Sequence, residues 1–257
     1  MKLILAAMLG LGMLGTAGAQ ADKPARLLLI GDSTLAPRNG YGDALCARFQ
    51  PRLQCLNLAK NGRSSGSYRA EGSWQQVMTL LQSNADFSAT YVMIEFGHND
   101  QPGKPGRSTD LKTEFPVNLA RYVDEVRATG ATPVLATPLT RRTFKDGQLV
   151  DDLALWAQAT RTVALDKHVP LVDLLAASRE AVQAMGQAEA DTLAVEPPPA
   201  AAASAPQDLN AVEAVTTKKS AFDRTHVGPK GAALFADIVA PLLRKAVPAL
   251  ATSGKPE

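Results

Sequence analysis

The stretch Leu27-Leu28-Leu29-Ile30-Gly31-Asp32-Ser33-Thr34 joins an unbroken apolar run to a short polar segment. Four consecutive aliphatic residues without polar alternation predict a strand that is buried on both faces, as in a parallel sheet. The polar residues then follow at the carboxyl end of that strand, which is the edge where open α/β sheets bind their ligands. The stretch therefore predicts the class of fold and places a serine, Ser33, where function is expected.

Three other polar segments continue this arrangement. Residues 61–64 follow the apolar run 55–58, and residues 97–100 follow the run 91–94. The last segment, Asp223-Arg224-Thr225-His226, precedes an apolar helical pattern near the C-terminus. Because the carboxyl ends of parallel strands share one edge of a sheet, we expect the first three segments to meet there. In chain order the four segments supply a serine, a glycine, an asparagine and an Asp/His pair, which are the parts of a serine hydrolase.

Strand and helix signals alternate along the chain, which predicts a parallel sheet with helices on both faces. The predicted strands are 26–30, 55–58, 91–95, 133–136 and 170–172, and the predicted helices are 42–49, 74–82, 111–129, 149–167, 174–185 and 231–243. Right-handed crossovers leave few topologies for such a chain. We expect an α/β fold, a flavodoxin-like three-layer α/β/α sandwich with a five-stranded parallel sheet.

The 257 residues, 46% of them hydrophobic, suit one domain, which we place at 22–250. Residues 1–19 predict an export signal, with an apolar run at 3–14 and small residues at 17–19. That run is shorter than the roughly 20 residues needed to span a membrane. We therefore expect a periplasmic or secreted protein that is not inserted in the membrane once the signal is removed.

A Pro/Ala-rich stretch at about 186–220 interrupts the alternation of strands and helices. Its low complexity predicts a surface insertion, and the alternative is a lid beside the site, because the stretch leads into Asp223. Lys plus Arg is 27 against 25 for Asp plus Glu, and aromatic residues make up 5% of the chain. Neither value indicates a nucleic-acid partner.

The two cysteines, Cys46 and Cys55, could pair in an oxidising compartment. The alternative is two buried thiols, because sequence does not fix the separation of the two Cα atoms. Neither cysteine has a metal-ligand spacing to a histidine or to the other cysteine, so we expect no metal site.

Ser33 is the candidate nucleophile, and a serine hydroxyl needs a base to take its proton. His226 is the natural base, because Asp223 stands three residues before it and can fix its tautomer. The backbone N–H groups of Gly62 and Ser33 and the side-chain amide of Asn99 are candidates for an oxyanion hole. The structural alternatives are a helix cap for the serine and simple turn chemistry for the glycine.

Ser64 is a rival nucleophile, because Gly62-Arg63-Ser64-Ser65-Gly66 matches the Gly-x-Ser-x-Gly elbow of α/β hydrolases. That elbow requires a helix directly after the serine. The sequence instead predicts a polar loop through residues 67–69, and only one strand precedes the segment. We therefore reject Ser64.

These segments resemble those of the SGNH (GDSL-like) hydrolases, and within that group the chain is most similar to the rhamnogalacturonan acetylesterases, carbohydrate esterase family 12. The similarity rests on Gly31-Asp32-Ser33-Thr34, Gly62-Arg63-Ser64-Ser65, Glu71-Gly72-Ser73-Trp74, Glu95-Phe96-Gly97-His98-Asn99-Asp100, Thr137-Pro138-Leu139-Thr140-Arg141-Arg142 and Asp223-Arg224-Thr225-His226. The resemblance implies that Ser33 is the nucleophile, His226 its base and Asp223 the residue that orients the base. It also implies an oxyanion hole of Ser33 N–H, Gly62 N–H and the Asn99 amide. The insertion before Asp223 departs from the family pattern.

We expect a monomeric secreted serine esterase that removes O-acetyl groups from a polysaccharide through an acetyl-enzyme, without a cofactor. The resemblance points to rhamnogalacturonan or a related pectin as the substrate. Five residues flanking the motifs are candidate substrate contacts: Arg63, Trp74, His98, Arg141 and Arg142. The arginines suit uronate carboxylates, and the alternative is solvated surface charge. Two other functions are weighed, an SGNH lipase or thioesterase and a non-catalytic polysaccharide-binding protein.

Overall fold

The computed structural model describes residues 23–49, 53–196 and 222–251. Its strands are β1 (Ala25–Gly31), β2 (Leu53–Asn57), β3 (Thr90–Glu95), β4 (Thr132–Ala136), β5 (Phe144–Lys145), β6 (Gln148–Leu149) and β7 (Leu171–Val172). Five of them form a parallel sheet in the order β2-β1-β3-β4-β7, and β5 and β6 form a separate hairpin. This order confirms the predicted flavodoxin-like topology.

Helices cover both faces of the sheet. They are α1 (Gly42–Ala47), α2 (Ser67–Ala70), α3 (Ser73–Leu81), α4 (Phe115–Ala128), α5 (Ala154–Asp166), α6 (Leu174–Asp191) and α7 (Pro229–Ala246). Buried side chains of α1, α6 and α7 contribute to one core cluster, and those of α2, α3, α4 and α5 contribute to the other. Leu175 of α6 and Ala157 of α5 instead pack with Leu153 in a small third cluster. The arrangement is the three-layer sandwich that the alternation of elements predicts.

The β1 strand shows why its unbroken apolar run is needed. Leu27 and Leu29 pack into one core cluster, whereas Leu28 and Ile30 pack into the other, and all four side chains are 0% exposed. Each such burial contributes roughly 1.5–3 kcal/mol. A polar residue at any of these positions would lack water and a partner, so the run holds the strand at the centre of the molecule.

The carboxyl ends of the central strands are level with one another. Gly31 of β1 pairs with Glu95 of β3, which in turn pairs with Ala136 of β4. A Cβ atom at Gly31 would lie 2.5 Å from the backbone oxygen of Glu95, so only glycine allows the two strands to approach this closely. The chain turns to opposite sides of the sheet after β1 and β3, and such a switch point is where α/β sheets hold their ligands.

The hairpin of β5 and β6 was not predicted, and the prediction of a helix from residue 149 is wrong. The helix begins at Ala154. Asp146 and Gly147 both adopt positive φ angles, 52° and 77°, between the two short strands. An Asp-Gly pair with both residues in the left-handed region is typical of a tight hairpin turn.

The predicted insertion begins too early. α6 continues past Gly186, which has non-helical angles, as far as Asp191. Residues 187–190 are Gln, Ala, Glu and Ala, which favour helix, and Ala190 and Leu193 are buried in the core. Residues 186–196 are therefore part of the fold. The rest of the predicted insertion, the predicted signal at 1–19 and residue 22 lie outside the described residues.

Cys46 of α1 and Cys55 of β2 form a disulfide, with their Cα atoms 5.3 Å apart. Of the two alternatives left open by the sequence, the structure has the bonded one. Across the described residues, no helix combines the length and the hydropathy needed to cross a membrane.

Candidate active site

Ser33 lies in a tight turn directly after β1. The Asp32 carboxylate holds this turn, because its Oδ1 atom accepts hydrogen bonds from the backbone N–H of Thr34 at 2.9 Å and from the Thr34 hydroxyl at 2.8 Å. The backbone carbonyl of Asp32 also accepts from the N–H of Ala36 at 3.1 Å. Ser33 is 6% exposed, so a rigid, largely buried turn carries its hydroxyl at the edge of the sheet.

The Asp223–His226 segment forms a compact loop before α7. Asp223 Oδ2 lies 2.8 Å from His226 Nδ1, and Asp223 Oδ1 accepts from the backbone N–H groups of Thr225 and His226 at 2.8 and 3.0 Å. Burial raises the pKa of Asp223, but the hydrogen bonds from the His226 ring and from the two backbone groups outweigh it and lower the pKa to about 2. The carboxylate is therefore ionised at neutral pH and can stabilise a protonated imidazole.

Two sets of contacts fix this loop against the rest of the molecule. The N–H of Val227 donates to the backbone oxygen of Asn39 at 2.9 Å, which ties the residue after His226 to the segment that follows Ser33. The buried guanidinium of Arg142 donates to the carbonyls of Asp223, Thr225 and His226 at 3.2, 3.4 and 2.8 Å. These bonds bring the loop to the edge of the sheet that carries Ser33.

A buried ion pair anchors the middle of the same loop. The guanidinium of Arg224 makes two hydrogen bonds to the carboxylate of Asp191 at the end of α6, at 2.7 and 2.9 Å. The Arg224 and Asp191 side chains are only 5% and 7% exposed. Arg224 therefore supports the loop and does not face substrate.

The three groups predicted to form the oxyanion hole are two backbone N–H groups and the side-chain amide of Asn99, and each can donate a hydrogen bond. Gly62 has a φ angle of 74°, a left-handed conformation that favours glycine. The Asn99 amide donates to the backbone oxygen of Arg63 at 3.1 Å, while its oxygen accepts from Arg107 at 3.3 Å, so the amide is held in one orientation. Within the described part of the chain, the backbone N–H groups of Ser33 and Gly62 have no acceptor.

Asp100 joins the two segments that carry Gly62 and Asn99. Its Oδ1 atom accepts from the Ser65 hydroxyl at 2.5 Å and from the Thr109 hydroxyl at 2.8 Å, and the N–H of Ser65 donates to it at 3.1 Å. Burial raises the pKa of Asp100 to about 6 against the effect of these bonds. The residue therefore supports the site and lies beneath it.

Ser64 is not available as a nucleophile, although one reason for rejecting it is wrong. A short helix, α2, does follow it where a polar loop was predicted. The Ser64 side chain is nevertheless 0% exposed, and its hydroxyl accepts from the backbone N–H of Ser67 at 3.1 Å and contacts the Ser67 hydroxyl at 3.2 Å. The Ser64 hydroxyl thus satisfies the first backbone N–H of this helix from inside the protein.

Two buried carboxyl groups lie beneath the Ser33 turn. Glu95 accepts from the Tyr41 hydroxyl and from the N–H of Leu139 at 3.1 Å, and its Oε1 atom lies 3.1 Å from the Thr34 hydroxyl oxygen. Burial and the charge of Asp32 raise the pKa of Glu95 to about 8, although its hydrogen bonds act in the opposite direction. Two adjacent carboxylates cannot both ionise cheaply in a buried site, so Glu95 holds a proton at neutral pH.

The other carboxyl group, Asp32, carries the charge. Burial raises its pKa, but the neighbouring His98 and the bonds from Thr34 outweigh burial and lower it. His98 Nδ1 lies 3.4 Å from Asp32 Oδ2, and burial lowers the pKa of the imidazole.

We expect Glu95→Gln to change how stability depends on pH. Between its ordinary pKa of 4.5 and the folded value of about 8, Glu95 binds a proton in the folded state and not in the unfolded state. The wild type should therefore lose free energy of unfolding as pH rises across this window, by at most about 1.4 kcal/mol per pH unit from this group. Glutamine does not titrate, so the variant lacks that loss.

Urea unfolding of both proteins at pH 5, 6, 7 and 8 measures this difference. The contribution of Asp100 is present in both proteins and cancels. The gap between variant and wild type should shift in favour of the variant as pH rises, and two parallel stability curves would contradict a protonated Glu95.

The predicted substrate contacts have other partners in the structure. Trp74, His98 and Arg142 are 5%, 2% and 0% exposed, so most of each side chain packs inside the protein. The Trp74 indole donates to Glu125. Arg63 and Arg141 remain partly exposed at 39% and 14% of their side chains, but they pair with Glu71 and Asp152, respectively. Long-range partners of this kind cannot be seen in a local sequence pattern.

Sequence reasoning missed three residues that shape the site. Glu95 and Asp100 stand within the motif Glu95-Phe96-Gly97-His98-Asn99-Asp100, and a carboxyl group on the last residue of a buried strand is the available signal for Glu95. Arg107 contacts Asn99, and no motif marks it. Among the residues that the structure describes, no group of His, Cys, Asp and Glu is arranged to hold a metal ion.

A family of known proteins and a named relative match most of this chain. The GDSL-like Lipase/Acylhydrolase family matches residues 16–234. Rhamnogalacturonan acetylesterase RhgT of Bacillus subtilis (strain 168) is 31% identical over 226 residues, which cover 85% of this chain and 89% of that protein.

Solved structures share the fold at lower identity. Protein YxiM of Bacillus subtilis superposes with a TM-score of 0.65 at 19% identity, over 86% of this chain and 56% of that one. An acetyl-xylooligosaccharide esterase of Geobacillus, Axe2, superposes with a TM-score of 0.55 at 18% identity, over 86% of this chain and 93% of that one. The family match over most of the chain confirms the resemblance seen in its motifs, and the chain belongs to the GDSL-like lipase/acylhydrolase family of carboxylic ester hydrolases.

Proposed function

We propose that this protein removes O-acetyl groups from a polysaccharide, rhamnogalacturonan or a related pectin, by a Ser33–His226–Asp223 triad. The observation that carries the proposal is the 2.8 Å contact between Asp223 and the His226 ring, on a loop bonded to the segment that follows Ser33. A base with an ionised partner on one ring nitrogen keeps the other nitrogen available to take a proton from serine.

The proposed reaction has two steps. Ser33 Oγ attacks the acetyl carbonyl carbon while His226 takes the hydroxyl proton, and the carbonyl oxygen becomes an oxyanion. The tetrahedral intermediate collapses, the C–O bond to the sugar breaks, and His226 returns its proton to the sugar oxygen. Water then attacks the acetyl-enzyme with His226 again as base, which releases acetate and restores Ser33.

The free N–H groups of Ser33 and Gly62 and the oriented amide of Asn99 would stabilise the oxyanion in both steps. Donors that are fixed before the reaction need no reorganisation when the charge develops. Removing one such donor typically costs about 10²–10³ in kcat. The hydrogen bond from Arg107 to the Asn99 oxygen supports this role, because it directs the amide hydrogens away from that side.

The substrate class is supported by the named relative, a rhamnogalacturonan acetylesterase. Secretion is supported by the Cys46–Cys55 disulfide, since such bonds persist in oxidising compartments. It is also supported by the apolar run at residues 3–14.

Acetate release from acetylated pectin, acetylated xylan and p-nitrophenyl acetate tests the proposal. The highest kcat/KM should be on acetylated pectin. Hydrolysis of long-chain acyl esters in preference to all three would favour a lipase or thioesterase, and binding of pectin without acetate release would favour a non-catalytic protein. Either result would overturn the proposal.

A further inference from the structure

A groove of about 370 Å³ opens beside the oxyanion-hole residues. One wall is α2 with the residue before it, and the other is the loop before α4 with the first turns of that helix. Its lining residues on these two walls include Gly66, Ser67, Arg107, Thr109, Glu114 and Asn118. Small-molecule sites commonly have this size and a few convergent polar groups.

Arg107 connects the groove to the predicted reaction centre. Its Nη1 atom donates to Asn99 Oδ1 at 3.3 Å and would lie 3.4 Å from a Cβ atom at Gly62. The guanidinium therefore contacts Asn99 and lies close to Gly62, two of the three residues that would hold the oxyanion. A group bound to Arg107 in the groove would be adjacent to the ester under attack.

Arg107 is also a partly exposed arginine beside the site for which the described residues provide no acidic partner. Arg63 and Arg141 pair with Glu71 and Asp152, and Arg142 is buried against backbone carbonyls. In the described ranges, no carboxylate oxygen lies within 4.0 Å of the Arg107 guanidinium. The side chain is partly exposed, so most of its N–H donors remain available to a ligand.

The remaining groove residues suit a sugar more than an apolar ligand. The hydroxyl of Ser67 accepts from the backbone N–H of Ser64 at 2.9 Å, and the Asn118 amide donates to the Ser65 hydroxyl at 3.2 Å, which leaves the Asn118 oxygen to accept from a ring hydroxyl. The single carboxylate among the lining residues, Glu114, already accepts from the backbone N–H of Asp110 at 2.7 Å. This bond offsets part of the repulsion that an anionic ligand would meet.

We propose that Arg107 binds the carboxylate of a uronate residue next to the acetylated sugar and thereby sets specificity for acidic polysaccharide. The inference rests on the proposed acetylesterase function and assigns the charge recognition to one side chain. The planar guanidinium can donate two parallel N–H bonds to a carboxylate, a geometry that lysine cannot match. Because the bond to Asn99 uses only Nη1, the other donors can engage the sugar acid.

The test compares two acetylated rhamnogalacturonan oligosaccharides that differ only at the acid, one with its uronate carboxylates intact and its counterpart with each carboxyl group reduced to a primary alcohol. The measured quantity is the ratio of kcat/KM on the acidic substrate to kcat/KM on the reduced one, at 0.15 M salt. We expect Arg107→Gln to lower this ratio about tenfold, mainly through KM, and Arg107→Lys to lower it less. Any general effect through Asn99 alters both substrates and cancels in the ratio.

Arg121→Gln is the matched control, because it removes the same charge from an α4 side chain that is 58% exposed and is not among the groove residues. Its ratio should equal that of the wild type. An unchanged ratio in Arg107→Gln, or an equal fall in Arg121→Gln, would overturn the inference. Failure of the wild type to release acetate from either oligosaccharide would instead overturn the proposed function.

Discussion

Ser33→Ala is expected to lower kcat for acetate release by roughly 10⁴–10⁶. The substitution removes the atom that would attack the acetyl carbon, while the oxyanion donors and the His226–Asp223 pair remain. Alanine fits the turn, because the Asp32 carboxylate holds it through Thr34 and not through the serine side chain. The variant should therefore fold like the wild type and still bind substrate, with KM little changed.

Ser64→Ala is the matched control for this prediction. Ser64 is buried and contacts Ser67 at the start of α2, so its loss should cost stability and leave most of the activity. Initial rates on p-nitrophenyl acetate and circular dichroism spectra of both variants measure the two effects. Retained activity in Ser33→Ala, together with lost activity in Ser64→Ala, would mean that Ser64 is the nucleophile.

Arg142→Met is expected to lower kcat about 10²-fold and to destabilise the fold by roughly 3 kcal/mol or more. The guanidinium donates hydrogen bonds to three backbone carbonyls of the same loop, those of Asp223, Thr225 and His226. Without it these carbonyls lose a buried donor, and the loop that carries the base loses part of what fixes its position. Burial lowers the pKa of Arg142 to about 10, so the residue still carries its charge at neutral pH.

The kinetic signature separates positioning from general destabilisation. At a temperature where circular dichroism shows the variant to be folded, kcat should fall while KM stays near the wild-type value. Arg142→Lys retains the charge and can reach one carbonyl, so it should recover part of kcat. Equal kcat in the folded methionine variant and the wild type would mean that Arg142 only stabilises the fold.

The strands and the polar segments at their ends could be predicted because both depend on local pattern. An aliphatic run such as Leu27–Ile30 has no stable place except a buried strand, and the residues after it must then lie at the edge of the sheet. The family segments extend that reasoning to chemistry, since all of them except residues 71–74 lie at or after the end of a strand or precede α7.

The partners of the site residues could not be predicted in the same way. From the sequence alone, Arg142 is interpreted as a surface cation. In the structure it is buried and bonded to a loop more than 80 residues further along the chain. The proton on Glu95 likewise depends on Asp32 and Tyr41, which belong to other segments. Such contacts depend on how the elements pack, and local spacing carries no information about them.

The central claim is that Ser33 is the acyl-accepting nucleophile, and labelling with a fluorophosphonate tests it most directly. The reagent forms a covalent bond only with a serine that a neighbouring base activates. Digestion and mass spectrometry of the labelled protein should find one adduct, on the peptide that contains Ser33, and none in the Asp223→Asn variant over the same time. An adduct on Ser64, or no adduct on the active wild-type enzyme, would contradict the account.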